Sequence, residues 1–350
     1  MAIKVKSGFI YFLREQDVLT GDTFDYVKIG KTDYDRPVGD RIDDHQTGNP
    51  RMILDHESFQ VASIDTVETH LHHAFAEYRI LGEWFRMDET TLQEAIKEGK
   101  RIDQEVSACS EALTTAAEAN NLESSEPERE ATEKELALLE SAIKSAEGLK
   151  HLQTKLSCLK TGLVAGMGAA KGIEDILTFT EKTRQPSFNE ELFQEEHPET
   201  YDRFLVEKTG LSRSFSLARN PRPPSELCPE WVAQTKEYKD KVEKEAPFTT
   251  PTSKRNDALE DLHEQYLKVM GEISQATINK DILDAQIKAA CGTAKGIEGV
   301  CTWNRIQKQT TGFSATALAE EEPELHRKYL VPREPTHSLS VNLMRSYPAS

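Results

Sequence analysis

One string of twelve residues is written twice in this chain. GAAKGIEDILTF (168–179) recurs as GTAKGIEGVCTW (292–303) at an offset of 124. The match continues at an offset of 125, where FNEELFQEEHPETYDRFL (188–205) corresponds to FSATALAEEEPELHRKYL (313–330). SRSFSL (212–217) is then answered by THSLSV (336–341). The chain therefore contains an internal duplication. Two copies make a tandem pair, not a solenoid.

Each copy follows a helical stretch with an apolar stripe at heptad-like spacing. The first stripe runs from Leu136 through Leu139, Ile143, Ala146 and Leu149 to Leu163; the second runs from Leu259 through Tyr266, Val269 and Ile273 to Ile287. Such stripes bury against each other, within one chain or in a homo-oligomer. The expected modules are 133–218 and 256–343, divided by a Pro-rich joint (219–255) containing NPRPPSELCP. A small, polar, acidic stretch (104–132) reads as a linker, partly helical, between them and the first hundred residues.

Residues 1–103 read as a compact α/β unit. GFIYFL and YVKIGKT are strand-like, and the Gly-Asp between them predicts a hairpin. Pro37 and Gly48-Asn49-Pro50 punctuate a short helix. RMILDHESFQV is a third strand, and SIDTVETHLHHAFAEY sets Val67, Leu71 and Phe75 on one helical stripe.

Composition restricts the partners. With 37% hydrophobic and 29% charged residues, the chain is lean for one large core and suits a compact domain beside elongated helices. A formal charge of -17 argues against coating DNA or an anionic membrane. The first hundred residues carry 12 Lys+Arg against 19 Asp+Glu, so contact with nucleic acid requires a local basic site. Five scattered cysteines without a Cys-x-x-Cys pair, and no secretory segment, predict a reduced cytoplasm and no zinc finger. No apolar run approaches the roughly 18 residues of a membrane span.

The ordered set Ile10-Tyr11, Ile29-Gly30-Lys31, Arg41, Glu68 and Glu83-Trp84-Phe85 resembles the GIY-YIG nuclease family. It is most similar to a phage-type subfamily in which KIGKT replaces the second tyrosine motif. The resemblance covers the first hundred residues and implies a small three-stranded antiparallel sheet with flanking helices. It implies cleavage of DNA by metal-assisted attack of water on phosphate, with Glu68 binding one Mg2+ or Mn2+. Arg41 is implied on the scissile phosphate through its planar fork, and Lys31 beside it. Tyr11 is implied to position the water or act as its base, which at an ordinary pKa of about 10 needs a nearby cation.

Other residues follow from the pattern around these. His45, four residues after Arg41, suits an auxiliary acid or base. Strand alternation puts Tyr26, Lys28 and Gly30 on one face, so Lys28 stands where the family more often has a phenol and Tyr26 can lend its hydroxyl to substrate. His72 falls on the helical face of Glu68, while His70 and His73 read as polar surface. A phage origin, and with it the host cell cytoplasm, would follow from the resemblance.

The duplicated module resembles a segment appended to lambda-exonuclease-like phage recombination nucleases, without their catalytic residues. That resemblance implies a helical hairpin or coiled coil ending in a small β-containing knob. Lys171, Lys295, Arg184, Arg305 and Arg213 read either as phosphate contacts or as a solvated face. Two functions are open: a DNA endonuclease whose modules target or assemble it, and a phage interaction or anti-defence protein whose modules bind a host protein while the nuclease fold is inactive or secondary.

Overall fold

The computed structural model describes residues 3–242, 248–345 and 347; residues 1–2 and, in the expected joint, 243–247 lie outside the described residues. The first unit runs β1 (Gly8–Gln16), β2 (Thr23–Asp33), α1 (Val38–Gln46), β3 (Met52–Val61), α2 (Ile64–Ala74), β4 (Arg79–Leu81), β5 (Trp84–Arg86) and α3 (Glu89–Ala108). The three expected strands are present, and two short ones extend the antiparallel sheet to five in the order β3-β1-β2-β5-β4. Alternation along central β1 divides two cores. Ile10 and Phe12 meet Val67, Leu71 and Ile96 on one face, whereas Tyr11 and Leu13 meet Val38 and Ile42 of α1 on the other. Helix α1 itself buries no residue completely.

Helix α3 runs past the expected domain end, and α4 (Ser110–Ala119) follows it directly. Val106, Leu113 and Ala116 join the first core. The acidic stretch is therefore helical over its first half because it has an apolar face to bury.

The remaining chain contains α5 (Glu133–Met167), β6 (Gly172–Ile173), β7 (Leu177–Lys182), β8 (Ser187–Phe188), α6 (Glu190–Glu196), α7 (Pro198–Arg203) and β9 (Leu205–Leu217). After α8 (Pro224–Leu227) and α9 (Pro229–Val242), the pattern repeats. It comprises α10 (Asp257–Cys291), β10 (Gly296–Ile297), β11 (Cys301–Phe313), α11 (Ala315–Glu321), α12 (Pro323–Lys328), β12 (Leu330–Val331) and β13 (Thr336–Val341). Helices α5 and α10 are each 35 residues long. They start at side-chain caps, Thr132 and Asn256, and stop at Gly168 (φ 59°) and Gly292 (φ 60°). That left-handed backbone favours glycine, which ends both helices at equivalent points.

The stripes pair within the chain. Leu139 and Ile143 cluster with Ile287 and Cys291, and Leu163 and Met167 with Leu259 and Leu267, so α5 and α10 are antiparallel. Each helix ends in a β knob, and each knob is completed by the other copy. β13 of the second copy pairs with β7 of the first, and β9 of the first copy pairs with β11 of the second. Residues before the helices exchange too: Glu126 and Arg129 bridge Ala294 and Ile297, whereas Thr250 and Ser253 bridge Ala170 and Ile173. A shared head of α6, α7, α11 and α12 buries Phe193, Phe204, Leu318 and Tyr329, drawn from both copies. The outer face of α10 carries the first unit, with Ile278 and Ala285 in its core. Gly271 permits this contact, since a β-carbon there would stand 3.0 Å from Ala74 Cα.

Candidate active site

Strand β5 pairs with β2 only from Tyr26 to Lys28, so the β2 edge beyond Lys28 is not covered by a neighbouring strand. Both outward backbone groups of Ile29 at this edge are nevertheless paired. Its N–H donates to the Glu83 carbonyl at 3.1 Å, and its carbonyl accepts from His72 Nε2 at 2.9 Å. His72 thus spends its Nε2 proton holding β2 to α2, and burial lowers its pKa toward the neutral ring.

On the α2 side, Lys31 Nζ lies 2.7 Å from Glu68 and 2.6 Å from Asp65. Glu68 is buried on α2, and burial raises its pKa while the Lys31 ammonium acts against the rise. Burial also disfavours charge on Lys31, but the Asp65 and Glu68 carboxylates outweigh it and hold its pKa above the ordinary lysine range.

On the α1 side, Tyr11 is fully buried, with its hydroxyl 3.5 Å from His45 Nε2. Burial raises the phenol, and the adjacent Arg41 guanidinium acts in the opposite direction. Arg41 Nη1 donates to Asp44 at 3.1 Å, while its Nε is buried without a hydrogen-bond partner. Burial lowers His45, and the Lys28 and Arg41 cations reinforce the shift. Lys28 itself is buried and forms a 2.5 Å ion pair with Glu83.

Glu83 links the two sides. Its charge is felt at Tyr11, Arg41, His45 and His72, and also at Glu68. The sequence marks Glu83 by its place between Gly82 (φ 55°) and Trp84, yet nothing in the pattern reveals that it neutralises Lys28. Tyr26 stands apart: its ring lies under Arg51, which pairs with Glu15. His70 is buried and bridges Glu98 at 2.8 Å and Ser274 at 3.2 Å, tying α2 to α3 and α10. Arg305 contacts no solvent; it stacks on Trp303 and donates to the Ala119 and Gly292 carbonyls.

Tyr11 and Arg41 thus lie on the α1 side and buried Glu68 on the α2 side of a strand edge that no neighbouring strand covers, with Glu83 between them. Residues 8–100 match the T5orf172 domain. This is a phage-associated, nuclease-related domain, and it spans the sheet, α1, α2 and most of α3. No curated protein and no solved structure is detectably similar to the chain. Among the described residues, no helix is long and apolar enough to cross a membrane, and all five cysteines are free.

Proposed function

We propose that the T5orf172 domain of this chain is a DNA endonuclease of the GIY-YIG type, hydrolysing phosphodiesters. The observation that carries this reading is the orphaned, buried Nε of Arg41 beside Tyr11. An unpaired buried donor on a guanidinium fits a phosphate oxygen. Lys31 adds positive charge next to Glu68.

Glu68 is the carboxylate that would hold Mg2+ or Mn2+. Among the described residues no three His, Cys, Asp or Glu side chains form a cluster that could hold an ion. A single carboxylate nonetheless fits Mg2+, which keeps several waters and takes substrate phosphate oxygens as further ligands. Such a cation, when bound, supplies positive charge to the phosphate and acidifies water. Lys31 then turns from Glu68 toward the phosphate, Arg41 binds a non-bridging oxygen through Nε, and Tyr11 orients the attacking water. His45, neutral near pH 7 because its pKa is lowered, accepts or returns the proton. The Tyr11 hydroxyl reaches water only when the α1 side chains above it move, and α1 is anchored by partly buried Val38 and Ile42. The paired modules would set substrate choice or assembly.

The Glu68–Lys31 ion pair and the burial of Tyr11 favour a second reading, in which the site is idle and the modules bind a host or phage protein. Incubating the full chain with plasmid and Mg2+ or Mn2+, beside Glu68→Ala and Arg41→Ala, separates the two. Nicking by wild type alone supports the endonuclease; equal nicking by all three, or none by any, rejects it.

A further inference from the structure

The exchanged strands build a closed frame. Its base is the antiparallel α5–α10 pair, whose 35-residue helices span about 52 Å. The two knobs lie at opposite ends of this base. From one, the β9–β11 ribbon runs to the head, with both strands 13 residues long. From the other, β7–β13 and then β8–β12 run to the same head. A 13-residue strand reaches about 43 Å. The second side is interrupted between β7 and β8 and spans residues 177–188, about 40 Å if extended. Sides of about 43 and 40 Å on a base of about 52 Å outline an opening about 15 Å across, once a half-thickness of about 5 Å is subtracted for each member. That is narrower than a B-form duplex and wide enough for one strand.

The ribbons are bare. Residues 181–186, 207–210, 306–312 and 332–338 are all exposed. The ribbon segments 177–188, 205–217, 301–313 and 330–341 hold six exposed Lys or Arg, buried Arg305 apart, against three exposed Glu, although the whole chain carries -17. Lys182, Arg184, Lys208, Lys308 and Arg333 are exposed among them. The head is the reverse: 189–204 and 314–329 hold ten Asp or Glu against three Lys or Arg. The cations therefore lie along the sides of the opening, and the aromatic core shared by both copies closes it.

We propose that this frame threads a single strand of DNA from a free end, its phosphates held by the ribbon cations. Delivery of that strand to the β2 edge rests on the endonuclease reading; the threading does not. The test is therefore binding of a fluorescent oligonucleotide to the full chain in EDTA, where no metal-dependent cleavage interferes. A linear single strand with free ends binds. The same strand carrying streptavidin at both ends, or closed into a circle, binds about tenfold more weakly or worse, and the triple variant Lys182→Glu, Lys208→Glu, Lys308→Glu loses about tenfold or more. All three positions are exposed, and matching circular dichroism melts verify that the variant folds. Equal affinity for circular or blocked strands, for a duplex of the same length, or in the triple variant overturns the proposal. End-dependent binding without cleavage in Mg2+ or Mn2+ rejects the endonuclease reading alone; cleavage without end-dependent binding rejects the frame alone.

Discussion

Tyr11 on β1 faces Gly30 on β2, and its ring fills the space that a side chain at position 30 would need. A β-carbon there would stand 2.5 Å from the Tyr11 hydroxyl and 2.6 Å from Cε2 and Cζ. The glycine of Ile-Gly-Lys and the tyrosine of Ile-Tyr are therefore one packing unit across paired strands. The phenol is placed under Arg41 and His45 because Gly30 yields that room.

Gly30→Ala is accordingly expected to push the ring off β2. Overpacking of this kind costs about 1–3 kcal/mol, readable as a lower urea midpoint, and cleavage should fall with it. Gly39→Ala is the matched control, since nothing lies within 4 Å of its β-carbon and α1 should gain about 0.5–1 kcal/mol. Equal stability of the two variants would show that Tyr11 has other room.

Lys31→Met removes the cation that opposes the burial-driven rise in the Glu68 pKa. With that cation gone the carboxylate is harder to ionise, so its pKa moves further up. If cleavage requires ionised Glu68, the acid limb of the pH–rate profile shifts to higher pH in the variant. An unmoved limb, with only the plateau lowered, would assign the limb to another group.

Arg305 is a structural arginine on the knob at the end of α10. It donates to Ser124 Oγ at 3.2 Å and to the carbonyls of Ala119 and Gly292 at 2.8 and 2.7 Å. A lysine has no planar fork to serve three directions. Arg305→Lys is expected to cost about 3 kcal/mol or more, as buried acceptors are left unpaired. Chemical denaturation measures it, and a loss within the scatter of surface substitutions would return Arg305 to the solvated face.

The strand exchange predicts how the chain divides. Residues 1–220 carry β7 without β13, and residues 221–350 carry β11 without β9. Each fragment alone leaves strand edges and half an aromatic head exposed, so it should aggregate or pair with itself. Co-expressed, the two should co-purify as a one-to-one complex. Two independently monomeric, folded fragments would refute the exchange.

Much of this fold was legible because local rules decided it. The strand-like runs GFIYFL and YVKIGKT and the Gly-Asp between them located the hairpin, and heptad-like spacing located both long helices. The helical run through residues 104–119 was less clear, because its small residues show their apolar face only when α10 is there to cover it. For the site, the resemblance carried by the ordered motifs brought Tyr11, Arg41 and Glu68 into view. It did not show that Lys28 is neutralised by Glu83 or that His72 is bonded to the Ile29 carbonyl. Those pairs join residues 55 and 43 positions apart, and no local pattern records such a distance.

The sequence by itself determined that this chain holds an α/β unit and two equal modules, because periodicity and duplication are properties of a single strand of text. Only the tertiary structure decided which copy completes which knob. A β-strand's edge accepts any partner of matching register, and both copies offer a returning strand, continuous as β9 in the first and broken into β12 and β13 in the second. The antiparallel α5–α10 pair sets each knob beside the other copy's returning strand, so the exchange is settled by where the helices place the edges.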